Sequence, residues 1–242
     1  MSDESEFGET LRNGIITKDD GIHCFKLTKE RRCTFLNDNN LCEIILNLGE
    51  EYLCDICREH PRFYEASQDG YIKRYGLCCE EAGRIILSST DSVDKSISDM
   101  HDEYADCPDF NNIKNVSDFA HMLLSLEQLE DGWGKCVTAL NKANMDGLDI
   151  DYYMDRIKSY EQPFIHLLEY LMSRYHDELY ASIVWQFLRL LFAYCICKKS
   201  IVNYESGISE LIELCRLYSS EIEYSDVNVE MITQWLEEYY VN

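Results

Sequence analysis

The sequence predicts an all-α protein, with a helical domain over residues 91–242 and a small cysteine-rich, metal- or cluster-binding module over residues 1–90. Three observations carry this. Only 3 prolines and 11 glycines occur in 242 residues, too few turn-formers for a loop-rich β fold. Beyond Glu80 apolar residues recur at helical spacing, as in Phe119, Met122, Leu123, Leu126 and Leu129. Seven of the 12 cysteines fall within the first 79 residues, at Cys24, Cys33, Cys42, Cys54, Cys57, Cys78 and Cys79.

Taken in order, Asn37-Asp38-Asn39-Asn40 is a turn signal, and Leu41 to Leu48 is a short apolar helix stopped by Gly49. His60-Pro61 breaks the next segment. Gln68-Asp69-Gly70 marks a turn into Tyr71 to Tyr75, a short strand or extended piece. Glu81 to Ser88 is expected as a helix burying Ile85, Ile86 and Leu87, and the polar stretch Asp91 to Asn115 as partly irregular. Val116 to Asn144 is helical with a break at Gly132. Further helices are expected at Phe164–Arg174, Glu178–Lys198, Gly207–Leu217 and Val227–Tyr240, the last with Ser225-Asp226 as its N-cap.

Composition excludes several classes. A net charge of -23 argues against nucleic acid, whose phosphates require a basic surface. The same field attracts a lysine-rich partner, or merely keeps the protein in solution. Met1 to Thr10 has no basic segment followed by an apolar one, so no secretory signal is expected. Ile183 to Cys197, interrupted by Gln186 and Arg189, is too short and polar for a bilayer span and reads as a core helix. The expected location is cytoplasmic, with no membrane partner.

In a reducing compartment a dense cysteine cluster binds metal more often than it forms disulfides. The spacing is Cys33-x8-Cys42-x11-Cys54-x2-Cys57, with Cys78-Cys79 far downstream. A Cys-x2-Cys pair aims two thiolates of one turn at a single centre. Cys33 and Cys42 bracket the asparagine-rich turn and are placed to join them. Arg58, Arg62 and Arg74 are candidates to offset the negative charge of a thiolate assembly. Spacing alone leaves zinc and iron–sulfur near even, and His60 is available for a mixed zinc site. Cys195, Cys197 and Cys215 lie in apolar helices and read as core residues; Cys107 and Cys136 carry no spacing signal.

Two segments, Arg32-Cys33-Thr34-Phe35-Leu36-Asn37-Asp38-Asn39-Asn40-Leu41-Cys42 and Leu48-Gly49-Glu50-Glu51-Tyr52-Leu53-Cys54-Asp55-Ile56-Cys57-Arg58-Glu59-His60-Pro61-Arg62, resemble the signature of the flagellin lysine-N-methylase family. That signature runs C-P-F-L-x-x-x-x-L-C, then L-G-E-x-x-L-C-x-x-C-R-x-Y-P-R. Cys79-Glu80-Glu81-Ala82-Gly83-Arg84-Ile85-Ile86-Leu87 and Tyr218-Ser219-Ser220-Glu221-Ile222-Glu223-Tyr224-Ser225 are similar to later family stretches. The resemblance spans about residues 20 to 230. It implies methylation of lysine ε-amines on flagellin or another lysine-bearing protein. S-adenosylmethionine is the implied donor, with an iron–sulfur cluster, 4Fe-4S in type, held by candidates Cys33, Cys42, Cys54, Cys57 and Cys79. Thr34 stands where the family has proline and His60 where it has tyrosine. The family's usual further N-terminal cysteine segment is lacking.

Methyl transfer to lysine needs a neutral amine and a donor held in line. No strand–glycine loop–helix unit is expected to hold the donor: Asp131-Gly132-Trp133-Gly134 lies within helical sequence. Tyr218, Glu221 and Glu223 are candidates to touch substrate, the plainer reading being acids favoured at a helix start. The competing class is a non-catalytic binding module organised by its metal.

Overall fold

A computed structural model describes residues 6–18, 21–29, 32–67, 70–91 and 113–241. It is mainly helical, with 66% helix and 10% strand. The strands form two separate antiparallel hairpins. The chain divides into two compact units, Met1–His60 and Pro61–Asn242. The sequence places that division near residue 90; here it falls after His60, so Cys78 and Cys79 belong to the second unit.

The first unit opens with α1 (Glu6–Gly14), followed by a short hairpin of β1 (Ile15–Thr17) and β2 (His23–Phe25), with Ile16 opposite Cys24. Two short helices follow, α2 (Glu43–Leu48) and α3 (Asp55–Glu59). Gly49, at φ 105°, ends α2 in a backbone region that glycine enters without strain, as its sequence position indicates. His60, just before Pro61, ends α3.

In the second unit β3 (Arg62–Ser67) pairs with β4 (Gly70–Tyr75), in register Arg62↔Tyr75 to Ser67↔Gly70. β4 is the extended piece expected at Tyr71–Tyr75; its partner β3 carries no alternation that announces it. The turn residues Gln68 and Asp69 lie outside the described residues, as do Cys107 and most of the stretch Asp91–Asn115. Helix α4 (Glu80–Leu87) forms where expected, but of its three expected core residues only Leu87 is fully buried. Ile85 is 59% exposed and Ile86 half-buried, because consecutive residues on a helix point about 100° apart.

Then come α5 (Ile113–Ser125), α6 (Asp131–Met145), α7 (Ile150–Asp155), α8 (Glu161–Tyr175), α9 (Glu178–Lys198), α10 (Tyr204–Tyr218) and α11 (Asp226–Leu236). The break between α5 and α6 falls over residues 126–130 and not at Gly132, which sits inside the first turn of α6. Ser225 caps α11, its hydroxyl accepting from the Asn228 N–H at 3.2 Å.

The core is built around α9, whose residues Tyr180 to Ile196 are all buried. It packs against α6, α7, α8, α10 and α11. By length and composition this helix passes as a membrane span, but 94% of its apolar window is buried inside the unit. Trp185 donates to the Phe164 carbonyl at 2.8 Å. Arg189 lies over the Trp185 ring at 4.4 Å and reaches Glu161 at 3.4 Å, so the charge that interrupts the apolar run is partnered in the core.

Gly207 on α10 marks a close approach: a β-carbon there would overlap the Tyr160 hydroxyl. Tyr160 is itself held between Tyr204, stacked at 5.0 Å, and Phe192, edge-on at 5.1 Å. Gly207→Ala is therefore expected to destabilise the protein by about 1–3 kcal/mol through overpacking, read as a lower urea midpoint at unchanged slope.

Candidate functional site

Four of the five cysteines of the first unit are set by its turns. Cys33 forms an antiparallel bridge with Leu27, and Cys42 with Leu36. Between them the Asn37 side chain accepts from the N–H groups of Asn39 (2.9 Å) and Leu41 (3.0 Å), while Asn40 takes a left-handed φ of 62°. The Asn37–Asn40 turn expected from sequence is thus pinned by its first residue. The Glu43 N–H donates to the Phe35 carbonyl at 2.8 Å, which folds the strand holding Cys33 back beside Cys42.

Cys54 and Cys57 occupy the N-cap and third positions of α3, so both thiols belong to one turn and hydrogen-bond to each other. Cys57 as a residue is exposed, yet its sulfur is shielded enough for desolvation to lead the rise of its pKa to about 12. The hydrogen bond to Cys54 and the nearby thiols of Cys54, Cys33 and Cys42 add to the rise. All three other sulfurs therefore lie within electrostatic reach of Cys57. A thiol held protonated by burial and by its thiol neighbours is one that a bound cation would stabilise as the thiolate, since metal binding replaces the proton.

A tetrathiolate set suits zinc or an iron–sulfur cluster and not calcium or magnesium. The sulfurs approach without closing: among the described residues no three His, Cys, Asp or Glu side chains form a ready-made metal group. The packing of this unit supplies a second reason for a metal. Its described residues bury only two apolar side chains, Phe35 and Ile44, with Phe25 edge-on to Phe35 at 4.9 Å. A segment of this size with so small a core ordinarily needs a metal or disulfides, and its five cysteines are free thiols.

Of the expected ligands, Cys33, Cys42 and Cys54 lie within electrostatic reach of Cys57 without forming a ready-made metal group. Cys79 belongs to the second unit, where it occupies the N-cap position of α4 without a side-chain capping bond. The arginines expected to offset thiolate charge have other partners: Arg58 pairs with Asp55 and Glu59, and Arg74 with Glu65 at 2.9 Å. Cys195 and Cys215 are buried core residues, as their helical setting indicates, whereas Cys197, near the end of α9, is only half-buried. Cys136 hydrogen-bonds to Cys195, a contact that leads the fall of its pKa to about 7.

The second unit holds a polar centre that sequence reasoning touched only as one alternative. After α10 the chain continues through a π-helical turn, Ser219–Glu223; such turns recur at functional sites. The two acids of this turn part company. Glu221 accepts from the N–H groups of Leu129 (2.8 Å) and Glu130 (2.5 Å), so it caps α6 and plays the plain structural part. Glu223 accepts from both Tyr170 (2.8 and 3.0 Å) and Tyr175 (3.1 Å), and from Ser219. Tyr175 and Tyr180 in turn bond to Tyr218, at 3.0 and 3.3 Å.

Burial raises the pKa of Glu223, against the pull of these hydroxyls and of Arg174. Next to it lies a cavity of about 250 Å³, lined by Arg62, Phe63, Arg174, Glu223 and Tyr224 among others. The Cys78 thiol bonds to the Tyr224 hydroxyl at 3.1 Å.

No protein-family model, curated protein or solved structure matches this chain.

Proposed function

We propose that the protein binds an iron–sulfur cluster or zinc through Cys33, Cys42, Cys54 and Cys57 and methylates lysines of flagellin or another lysine-bearing protein, with S-adenosylmethionine as donor. The observation that supports this reading is that Cys33, Cys42 and Cys54 lie within electrostatic reach of Cys57, all four belonging to the two motif segments, Arg32–Cys42 and Leu48–Arg62, that resemble the flagellin lysine-N-methylase signature. Cys79 is the further ligand that the resemblance adds. A bound metal would tie three short segments with little apolar core into one module, and a cluster would add one-electron chemistry. The eleven described cysteines are free thiols, which suits a reducing, cytoplasmic setting. The net charge of -23 suits docking on a lysine-bearing surface.

The second reading is a non-catalytic binding module whose metal only organises the first unit. It is favoured by the sheet topology: both described sheets are antiparallel hairpins, and a nucleotide-binding βαβ unit needs parallel strands. One experiment separates the two. Anaerobically purified, metal-analysed protein is incubated with flagellin and S-adenosylmethionine, and the flagellin is weighed intact. Stepwise gains of one methyl mass are expected. A full metal complement with no gain in mass would leave only the binding module.

A further inference from the structure

The cavity beside Glu223 is lined in part by Arg174, a residue that carries a buried donor unpartnered among the described residues. Arg174, near the end of α8, lies flat over Phe63 at 4.1 Å and within 5.6 Å of the Tyr175 ring. This stacking fixes the plane of its guanidinium. Its Nε is buried, yet has no hydrogen-bond partner among the described residues, where buried donors are nearly always satisfied. Arg62 lines the same cavity. Two guanidinium groups and one carboxyl group therefore face a space of about 250 Å³ in a protein of net charge -23.

That volume is below the roughly 300–1,000 Å³ of sites that enclose a whole drug-sized ligand. It suits a small molecule or one end of a larger one. A planar guanidinium held by stacking presents a fork that matches a carboxylate. Glu223 in the same wall disfavours a multiply charged anion such as phosphate and favours a ligand that also carries a positive group.

We propose that this cavity binds an α-amino-acid head group, with its carboxylate on Arg174 beside Arg62 and its ammonium toward Glu223. Two sources share this chemistry: a free amino acid of methionine size, and the methionyl end of S-adenosylmethionine. The second source rests on the methyltransferase reading; the first does not.

Titration calorimetry on the full chain tests the proposal with four probes: L-methionine, S-adenosylmethionine, methioninol, which lacks the carboxylate, and 4-methylthiobutyrate, which lacks the amine. Saturable heat is expected for at least one of the first two, and weaker or no binding for the last two. Saturation by methionine identifies the free amino acid as a ligand. Saturation by S-adenosylmethionine alone identifies the donor. Arg174→Gln is expected to weaken binding about tenfold or more, the size of losing a charge-assisted contact. Arg174→Lys keeps the charge but loses the fork, so it should also bind more weakly; it serves if the glutamine variant does not fold, with circular dichroism as the check. The proposal is overturned if folded protein takes up neither methionine nor S-adenosylmethionine at millimolar concentration. It is likewise overturned if folded variants bind like the parent, or if inorganic phosphate binds more tightly than either ligand. The readout is heat and not methylation: binding without methyl transfer sinks the enzyme reading and leaves the pocket standing.

Discussion

Cys57→Ser protein is expected to purify with little or no bound metal, and with residues 21–60 losing protection against hydrogen exchange. The physical case rests on what else holds that unit together. Phe35 and Ile44 are its only buried apolar side chains among the described residues, and each contributes about 1.5–3 kcal/mol on burial. Ordering a residue costs about 1–2 kcal/mol of backbone entropy, so two core side chains cannot hold some fifty residues. A structural tetrathiolate metal supplies about 10–16 kcal/mol, and removal of one ligand forfeits most of that.

Cys54→Ser should behave in the same way, because both sulfurs belong to one turn of α3. Cys24→Ser is the control. Cys24 sits in β2, paired across from Ile16, and its loss should leave metal content unchanged. Elemental analysis decides the matter: wild-type metal stoichiometry in Cys57→Ser would remove the proposed centre. The same measurement on the parent protein distinguishes zinc from iron, and brown, iron-containing protein would favour the cluster.

Glu223→Ala is expected to cost about 3 kcal/mol or more. The substitution leaves the hydroxyls of Tyr170, Tyr175 and Ser219 without their shared acceptor, and an unsatisfied buried polar group costs about 1–3 kcal/mol. It also opens a cavity. Glu223→Gln keeps the shape and one acceptor oxygen, so its cost should be smaller.

The two variants also separate the effect of charge from that of packing. Burial holds the Glu223 pKa above the ordinary glutamate value in the folded state. Over the window from that ordinary value up to the raised one, the folded protein binds more protons than the unfolded chain. Stability must therefore fall as pH rises through that window. Urea midpoints of the parent protein should decline across the window, and Glu223→Gln, which cannot ionise, should flatten the decline. A parent and a glutamine variant with parallel pH profiles would show that burial does not raise the Glu223 pKa.

Local rules account for much of this fold. The stop at Gly49, the break at His60-Pro61, the Ser225 cap and the asparagine turn each depend on residues within four positions of one another, and each can be read without knowing the rest of the chain. The long apolar run of α9 likewise announces a core helix, because no amphipathic face is left for solvent. β3 was not legible, since Tyr64 is exposed and Phe63 is met by Arg174 from the distant helix α8. Ile85 misled for a simpler reason: three consecutive apolar residues cannot share one face of a helix.

Sequence alone determined that Cys54 and Cys57 share a turn and that Cys33 and Cys42 flank another, because spacing of two to eight residues dictates local geometry. Only the tertiary structure decided that these two pairs come within reach of each other. The same holds for Glu223, which in the sequence is one of 45 acidic residues. It becomes a buried acid beside a guanidinium-lined cavity because a π turn directs it inward, where tyrosines from α8 meet it. Burial is a property of what surrounds a side chain, and those surroundings come from residues some fifty positions away.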